Sequence, residues 1–518
     1  METDRHDRRE SSGRPATQTE ERQSRARRRV HPFFRDVTVT LAAQACVALG
    51  GILLARLLAR NAGADGFASY SLVKQAVNVL FPVVTVGLVG GLPRYIALPR
   101  EEGDPRHGTY LAAGALICWG ATAVAAALSL AVPGAVATVF FGDSGAGEYV
   151  LPFVLLLAAT STFYIAYGYF RGLLQLRRGS LLQVTALAFL PPLVVFAFPE
   201  EPVDDLIVVM AAGTAALSLL AVARPLFHGV RTTHERELSV ALRRLWDYGH
   251  RRVPGETAQL GLFVLVPILA AHVASLTDVA YLSAGQQVLG IVSLAVLPLG
   301  LVLLPSLSKM WVEDRHRTSR HVAQLSAFAA SLAIFISLQA ILYAKIAVIA
   351  WLGSEFEDAG AVVTVTVAPA ALYVVYLMLR STLDAVAVRS YNSRNNIAAL
   401  AVFALLATLL LVLDIGRPVM AVAWAFAAGV TTQGALTFAT VHRVFRVRLS
   451  DYGLRYVVPL GFAAGAIGLV ARPTIEAAAN PLLLTIGLEM LLGAAYFLAL
   501  ALLPLRWPRL LAERFFDR

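Results

Sequence analysis

The sequence predicts an all-α protein embedded in a membrane, and three observations predict it. About fourteen apolar stretches of membrane-crossing length recur between residues 37 and 505, and a bilayer core about 30 Å thick needs roughly 20 residues at about 1.5 Å of rise each. The composition, 57% hydrophobic and 15% charged over 518 residues with mean hydropathy +0.66, leaves too little polar surface for a soluble chain of this size. The arginines fall almost entirely in alternate loops, the asymmetry that the positive-inside rule describes. The formal charge of +10 therefore orients the chain, and no nucleic-acid partner is expected.

Residues 1–36 form a basic cytoplasmic tail whose polarity predicts disorder; Arg27, Arg28 and Arg29 either fix the topology or also meet anionic headgroups. The first apolar run after this tail is full length, which argues against a cleavable signal peptide. Spans 1 to 6 are expected at 37–60, 70–97, 109–133, 150–171, 179–198 and 203–225. Spans 7 to 12 follow at 255–276, 280–307, 322–350, 360–388, 396–414 and 419–440, and spans 13 and 14 at 454–472 and 482–505. Arg100, Arg106, Arg177, Arg178, Arg243, Arg244, Arg315, Arg320, Arg394 and Arg443 lie in the loops after even-numbered spans, which puts both termini on the cytoplasmic side of a plasma membrane. The opposite loops hold Asp143, Glu148, Glu200, Glu201, Asp204, Asp205, Asp278, Glu355, Glu357 and Asp358, with Arg417 and Arg472 as basic exceptions. Cys46 and Cys118 fall inside spans, where cysteine behaves as a small hydrophobe, so neither a disulfide framework nor a metal site is expected.

The chain contains a repeat. Tyr164, Tyr167 and Arg171 recur about 209 residues later as Tyr373, Tyr376 and Arg380, and Tyr70 and Gln75 recur about 211 later as Tyr281 and Gln286. Six spans per repeat is an even number, so the halves enter the membrane in the same direction and are expected to form two pseudo-symmetric lobes about an axis along the membrane normal. The expected organisation is an N-lobe at 37–225, a cytoplasmic linker at 226–254, a C-lobe at 255–440 and an appended helix pair with the C-terminus at 441–518. Leu238, Leu242 and Leu245 beside Arg243 and Arg244 mark the linker as an amphipathic helix. Spans 1, 2, 7 and 8 are expected to line a central cavity.

Leu53-Leu54-Ala55-Arg56, Gly63-Ala64-Asp65-Gly66 before Tyr70-Ser71-Leu72, and Gly87-Leu88-Val89-Gly90-Gly91-Leu92-Pro93-Arg94-Tyr95 resemble the first helical hairpin of Wzx-type polysaccharide flippases, within the multidrug/oligosaccharidyl-lipid/polysaccharide exporter superfamily. Arg171-Gly172, Leu304-Pro305-Ser306-Leu307-Ser308, and Asp384-Ala385 with Asn392 are similar to the pattern in corresponding places, and the resemblance runs from about residue 33 onward. It implies a flippase that moves polyprenyl-pyrophosphate-linked oligosaccharide between leaflets by alternating access, in contact with membrane lipids and with glycan polymerase or export machinery. The extra helix pair resembles fourteen-span lipid II flippases and related exporters.

Ionisable groups in hydrocarbon cost several kcal/mol unless they face a cavity or a partner. Arg56 and Arg60 near the far end of span 1, and Lys74 with Gln75 and Asn78 in span 2, are candidate pyrophosphate ligands; snorkelling to headgroups is the alternative. Arg94, Arg171, Arg252, Lys309 and Arg380 sit at cytoplasmic helix ends, where an arginine either anchors the helix or holds phosphate at an inward mouth. Asp384, one turn after Arg380, would neutralise it. Gln286 and Gln287 in span 8 suit sugar hydroxyls or interhelical hydrogen bonds. Glu256, behind Pro254-Gly255 with Gln259 on the same face, suits a gate salt bridge or a coupling cation, and Glu489 lies deep in span 14. No cofactor is expected; coupling would use H+, Na+ or the membrane potential.

A membrane glycan polymerase or ligase would need catalytic carboxylates on sizeable outer loops, and the longest, 134–149, offers only Asp143 and Glu148. A cation-coupled multidrug or small-molecule exporter of the same superfamily would favour carboxylates in its cavity, whereas Arg56, Lys74 and Arg94 are basic. A transporter of an anionic, lipid-linked glycan is the expected function, not an enzyme.

Overall fold

The computed structural model describes residues 16–98, 105–250, 253–294, 314–386, 391–446, 454–478 and 480–503, and every regular element among them is helical. In hydrocarbon only a helix satisfies each backbone group within its own segment. Arg252, Lys309 and the Leu304–Ser308 run lie outside the described residues, as do the side chains of Glu256 and Asp384.

Among the described residues ten helices are long and apolar enough to cross a membrane, and the pair Ser354–Val367 and Ala370–Arg380, bent by 46°, makes an eleventh. The other expected spans are present in a different form. Spans 1 and 2 are run together in one helix, Ala16–Thr85, broken only at Gly63 (φ 69, ψ −169), a backbone region that glycine alone adopts freely. The loop expected between residues 60 and 70 is therefore a single-residue break. Spans 7 and 8 are the helices Val253–Val273 and Leu276–Leu294, joined by a two-residue turn. Over residues 16–36 the backbone continues the helix of span 1, and the Glu-, Gln- and Arg-rich run there has high helix propensity.

Span 2 breaks again at Val86 (φ 48) and Gly87 (φ 63) before resuming as Leu88–Ala97. Span 3 is His107–Ala131, and the expected 134–149 loop folds instead into the helix Pro133–Phe141 and a 3₁₀ turn, Ser144–Tyr149. Span 4 is Val150–Gly172. Span 5 runs Leu176–Gln183, then a π-helical segment at Val184–Phe189, then Leu190–Ala197; the wide turn precedes Pro191 and Pro192, whose missing N–H groups it accommodates. Span 6, Val203–Thr232, leads to the linker helix Glu235–Gly249, whose apolar face buries Ala241 and Leu245 against the N-lobe. Span 9 is Arg315–Leu352, span 10 Gly360–Val367 with Ala370–Val386, span 11 Tyr391–Val412 and span 12 Pro418–Phe445.

The repeat seen in sequence is also a repeat of packing. Span 1 packs on span 5 as span 7 packs on span 11; span 3 packs on 4 as 9 packs on 10; span 4 packs on 6 as 10 packs on 12. Spans 13 (Leu454–Glu476) and 14 (Pro481–Leu502) lean on span 9. There Gly461, Gly465 and Gly468 bring span 13 against Ile334, Leu338 and Tyr343, the small-residue spacing by which helices approach closely in lipid.

The helix ends sort into two faces. One bears Arg94, Arg106, Arg171, Arg231 and Arg243, the other Asp143, Glu200, Asp204, Asp278, Glu355 and Glu357. At the acidic face a single apolar cluster spans both lobes, from Leu58, Phe67 and Phe153 to Val266, Leu282, Phe356 and Phe426. Toward the basic face the core divides. Leu92, Leu111 and Phe163 belong to an N-lobe cluster, and Val322, Met378 and Leu379 to a separate C-lobe cluster. Among the described residues the apolar core is shared at one end and divided at the other.

Gly172 tests this packing. A β-carbon there would lie 2.6 Å from Ile96 Cβ and 3.1 Å from the Pro93 carbonyl oxygen. Gly172→Val is expected to lower stability by about 1–3 kcal/mol through overpacking at the end of span 2, read as a lower thermal midpoint of the purified protein.

Candidate functional site

Between the lobes, where the shared core gives way to separate ones, lies a cavity of about 300 Å³. Span 1 lines it with Ala48, Gly51, Ile52 and Ala55, span 2 with Phe67, Tyr70, Ser71, Lys74 and Gln75, span 7 with Phe263, and span 8 with Ser283, Gln286, Gln287 and Gly290. This is the four-span lining that the repeat predicts, with Trp351 from the end of span 9 added.

Lys74 is exposed into this cavity and is the one charged group among the described residues that line it. It forms no ion pair with a described carboxylate. Gln75 Oε1 accepts from Asn78 Nδ2 at 3.1 Å, so Asn78 acts on the cavity through Gln75. Gln286 Nε2 donates to the Phe263 carbonyl at 2.8 Å, which ties span 8 to span 7 and fixes that amide against the wall. Ser283 Oγ is buried with no hydrogen-bond partner among the described residues. Phe263 is wedged against Tyr373 and Phe426, both at 5.3 Å between ring centroids. The arrangement offers one cation, several carboxamides and hydroxyls, and an aromatic wall, a combination suited to an anion that carries hydroxyl groups.

Arg56 does not line the cavity. Its Nη1 donates to the carbonyls of Ala350 and Trp351, at 2.9 and 2.6 Å, and so satisfies carbonyls that the C-terminal end of span 9 leaves open. Trp351 Nε1 reciprocates by donating to the Ile52 carbonyl at 2.8 Å. Thr277 Oγ1 adds a bond from the C-lobe to Asp65 Oδ1 at 2.9 Å. Phe67 meets Phe356 edge to face at 5.9 Å. Gly142, in a left-handed conformation, sits against the Ala271 carbonyl, too close for a side chain. All of these contacts join the lobes at the acidic face and close the cavity there. The two basic exceptions on that face are both paired, Arg417 with Asp278 at 3.0 Å and Arg472 with Glu476 at 2.8 Å.

The other predicted arginines stand at the basic face. Arg171 lies over the Tyr167 ring at 5.6 Å and Arg380 over the Tyr376 ring at 5.7 Å, so the sequence repeat is reproduced as the same cation–π pair one helical turn apart in each lobe. Arg94 lies over Tyr248 of the linker helix at 5.3 Å. Gln259 is half-buried within span 7, one turn before Phe263, and does not itself line the cavity. The structure thus brings together Lys74, Gln75, Gln286 and Gln287, with Asn78 behind them, and leaves Arg56, Arg94, Arg171 and Arg380 elsewhere. Trp351 was not foreseen: a tryptophan at a span end reads as an interfacial anchor, and nothing in the sequence pairs it with Ile52.

No protein-family model matches the sequence, and no curated protein matches it significantly. Solved structures do share its fold. The lipid II flippase MurJ in an inward closed conformation superposes with a TM-score of 0.68 at 11% identity, covering 93% of this chain and 100% of the flippase. An inward-facing multidrug resistance MATE family transporter of the MOP superfamily gives 0.62 at 12% identity, covering 79% of this chain and 98% of its own. A mutant of the Vibrio cholerae MATE transporter VcmN gives 0.54 at 15% identity, covering 80% and 96%. The chain is a polytopic helical membrane protein with the fold of these transporters.

The acidic-face clamp makes a direct prediction. Arg56→Ala removes two charge-assisted hydrogen bonds, worth about 1.5 kcal/mol or more in total, and should shift the lobe equilibrium about tenfold toward opening at that face. With Cys46 and Cys118 replaced by serine, Ser71→Cys in the cavity should then react several-fold faster with an impermeant maleimide applied from the acidic face.

Proposed function

We propose that this protein is a flippase that carries a polyprenyl-pyrophosphate-linked oligosaccharide, a precursor of cell-surface polysaccharide, across the cytoplasmic membrane. The observation behind this reading is the interlobe cavity in which Lys74 is the one charged lining group among the described residues, surrounded by Gln75, Gln286, Gln287, Ser71 and Ser283. An ammonium at that depth with no ion pair to a described carboxylate is costly, and the cost is offset when an anion arrives; lysine binds phosphate as a point charge, and the carboxamides suit sugar hydroxyls. A cavity of about 300 Å³ is small for a whole glycan. It suits a phosphate and the nearest sugar, with the rest of the glycan extending between the separate basic halves of the lobes.

In this reading the basic face is cytoplasmic, both termini are inside, and the described conformation faces inward. Transport alternates this state with one in which the Arg56–Trp351 clamp opens and the basic halves close. Arg94, Arg171, Arg252 and Arg380 would receive the pyrophosphate at the inward mouth. Glu256, with Gln259, would couple lobe tilt to H+ or Na+; failing that, the membrane potential acts on the lipid anion. The cationic lining group favours an anionic, lipid-linked cargo over a cationic drug.

Lys74→Gln should reduce flipping of a polyprenyl-pyrophosphate sugar in reconstituted vesicles by about 10- to 150-fold, the equivalent of about 1.5–3 kcal/mol for a charged hydrogen bond, while Lys74→Arg retains most of it. Membrane abundance should be unchanged in both. Undiminished flipping by Lys74→Gln would remove the lysine from the site, and export of a cationic amphiphile that rises in the same variant would instead support a cation-coupled exporter.

A further inference from the structure

Span 14 carries a carboxylate that neither the cavity nor the clamp uses. Glu489 Oε1 is buried and has no hydrogen-bond partner among the described residues. Across the helix junction on span 9, Gln339 is 5% exposed, and both its Oε1 and its Nε2 are likewise buried and unpartnered. Helix register brings the two side chains to one depth. Span 14 runs antiparallel to span 9: Tyr496 donates to the Ser331 carbonyl at 3.0 Å, and a β-carbon on Gly493 would touch the Phe335 ring at 3.5 Å. One turn back from Gly493 is Glu489 and one turn on from Phe335 is Gln339. Gly468 of span 13 completes the junction, where a β-carbon would lie 3.0 Å from Gln339 Oε1.

Among the described residues, each other titratable or charged group facing this junction has a partner. Tyr343 of span 9 donates to the Gly468 carbonyl at 2.7 Å, Arg472 of span 13 pairs with Glu476, Lys345 of span 9 pairs with Glu357 at 3.7 Å, and Tyr496 is bound to Ser331. No cation among them is left to hold a carboxylate.

We propose that Glu489 is a proton-binding site, held as the neutral acid in a ring of two hydrogen bonds with the Gln339 carboxamide. The acid O–H donates to Gln339 Oε1, and Gln339 Nε2 donates to the acid's carbonyl oxygen, so three orphaned atoms are satisfied together. Loss of the proton to water removes one bond and leaves Gln339 Oε1 facing a carboxylate in a medium of low dielectric. Proton occupancy therefore sets how firmly the appended pair docks on span 9. This proposal does not depend on the identity of the transported molecule.

Infrared difference spectroscopy on the full chain in lipid vesicles, wild type minus Glu489→Gln at about pH 7, tests it. A carboxylic-acid carbonyl band belonging to Glu489 is expected. In Gln339→Met, of similar volume, that band should move to higher wavenumber because the acid loses its acceptor; Gln339→Asn, which withdraws the amide by one methylene, should act in the same direction if the first variant does not fold. Carboxylate bands in place of the acid band would overturn the site, and an acid band unmoved by both Gln339 variants would overturn the ring. Conversion of acid to carboxylate by Na+ at constant pH would show that the occupant is a metal cation and not a proton.

Discussion

Everything else in this structure depends on a hydrophobic core that the two lobes share at one end and do not share at the other. Van der Waals packing between apolar helix faces is non-directional, so two six-helix bundles with such faces would pack along their whole length if nothing intervened. Polar residues in spans 2 and 8 intervene. Lys74, Gln75, Gln286 and Gln287 cannot enter an apolar interface without a cost of several kcal/mol, and the lobes part at their level. The cavity is thus the boundary of the shared core, and its chemistry follows from the residues that end that core.

Much of this was legible in the sequence because its signals are periodic or additive. Span length, loop charge and the Tyr–Tyr–Arg repeat each sum over many residues, and the structure places the repeated arginines over the same tyrosine in both lobes. The cavity amides were legible because polar side chains are rare in spans and must face one another or a void. Arg56 was harder. In sequence a cation near a span end fits a headgroup, a phosphate or a helix cap equally, and only the position of the span 9 terminus, nearly 300 residues away, decides for the cap. The same holds for Trp351 and Ile52. Loops were misjudged where a backbone device replaced them: Gly63 turns the chain within one continuous run of helix, and 134–149 folds because Phe141 and Ala137 find buried positions.

The appended pair shows how little lipid-embedded packing has to announce itself. Spans 13 and 14 meet span 9 through glycines, two tyrosine hydroxyls that reach backbone carbonyls, and the stack of Phe335 on Tyr496 at 5.0 Å. Without a hydrophobic driving force between helices in lipid, contacts of this kind suffice. Composition alone gives no hint of the partner helix, because leucine is as content against an acyl chain as against another span.

The linker helix has a mechanical consequence. Its Gly249 end is pressed against the backbone of Val86, where span 2 is broken in a left-handed conformation that valine adopts only under constraint. Span 7 begins at Val253, about four residues on, and a chain of that length reaches at most about 14 Å when fully extended. The basic halves are therefore on a short leash. While the linker helix stays docked, the root of span 7 stays within that radius of Gly249 however far the second lobe swings, so the aperture at this face has a ceiling set by chain length.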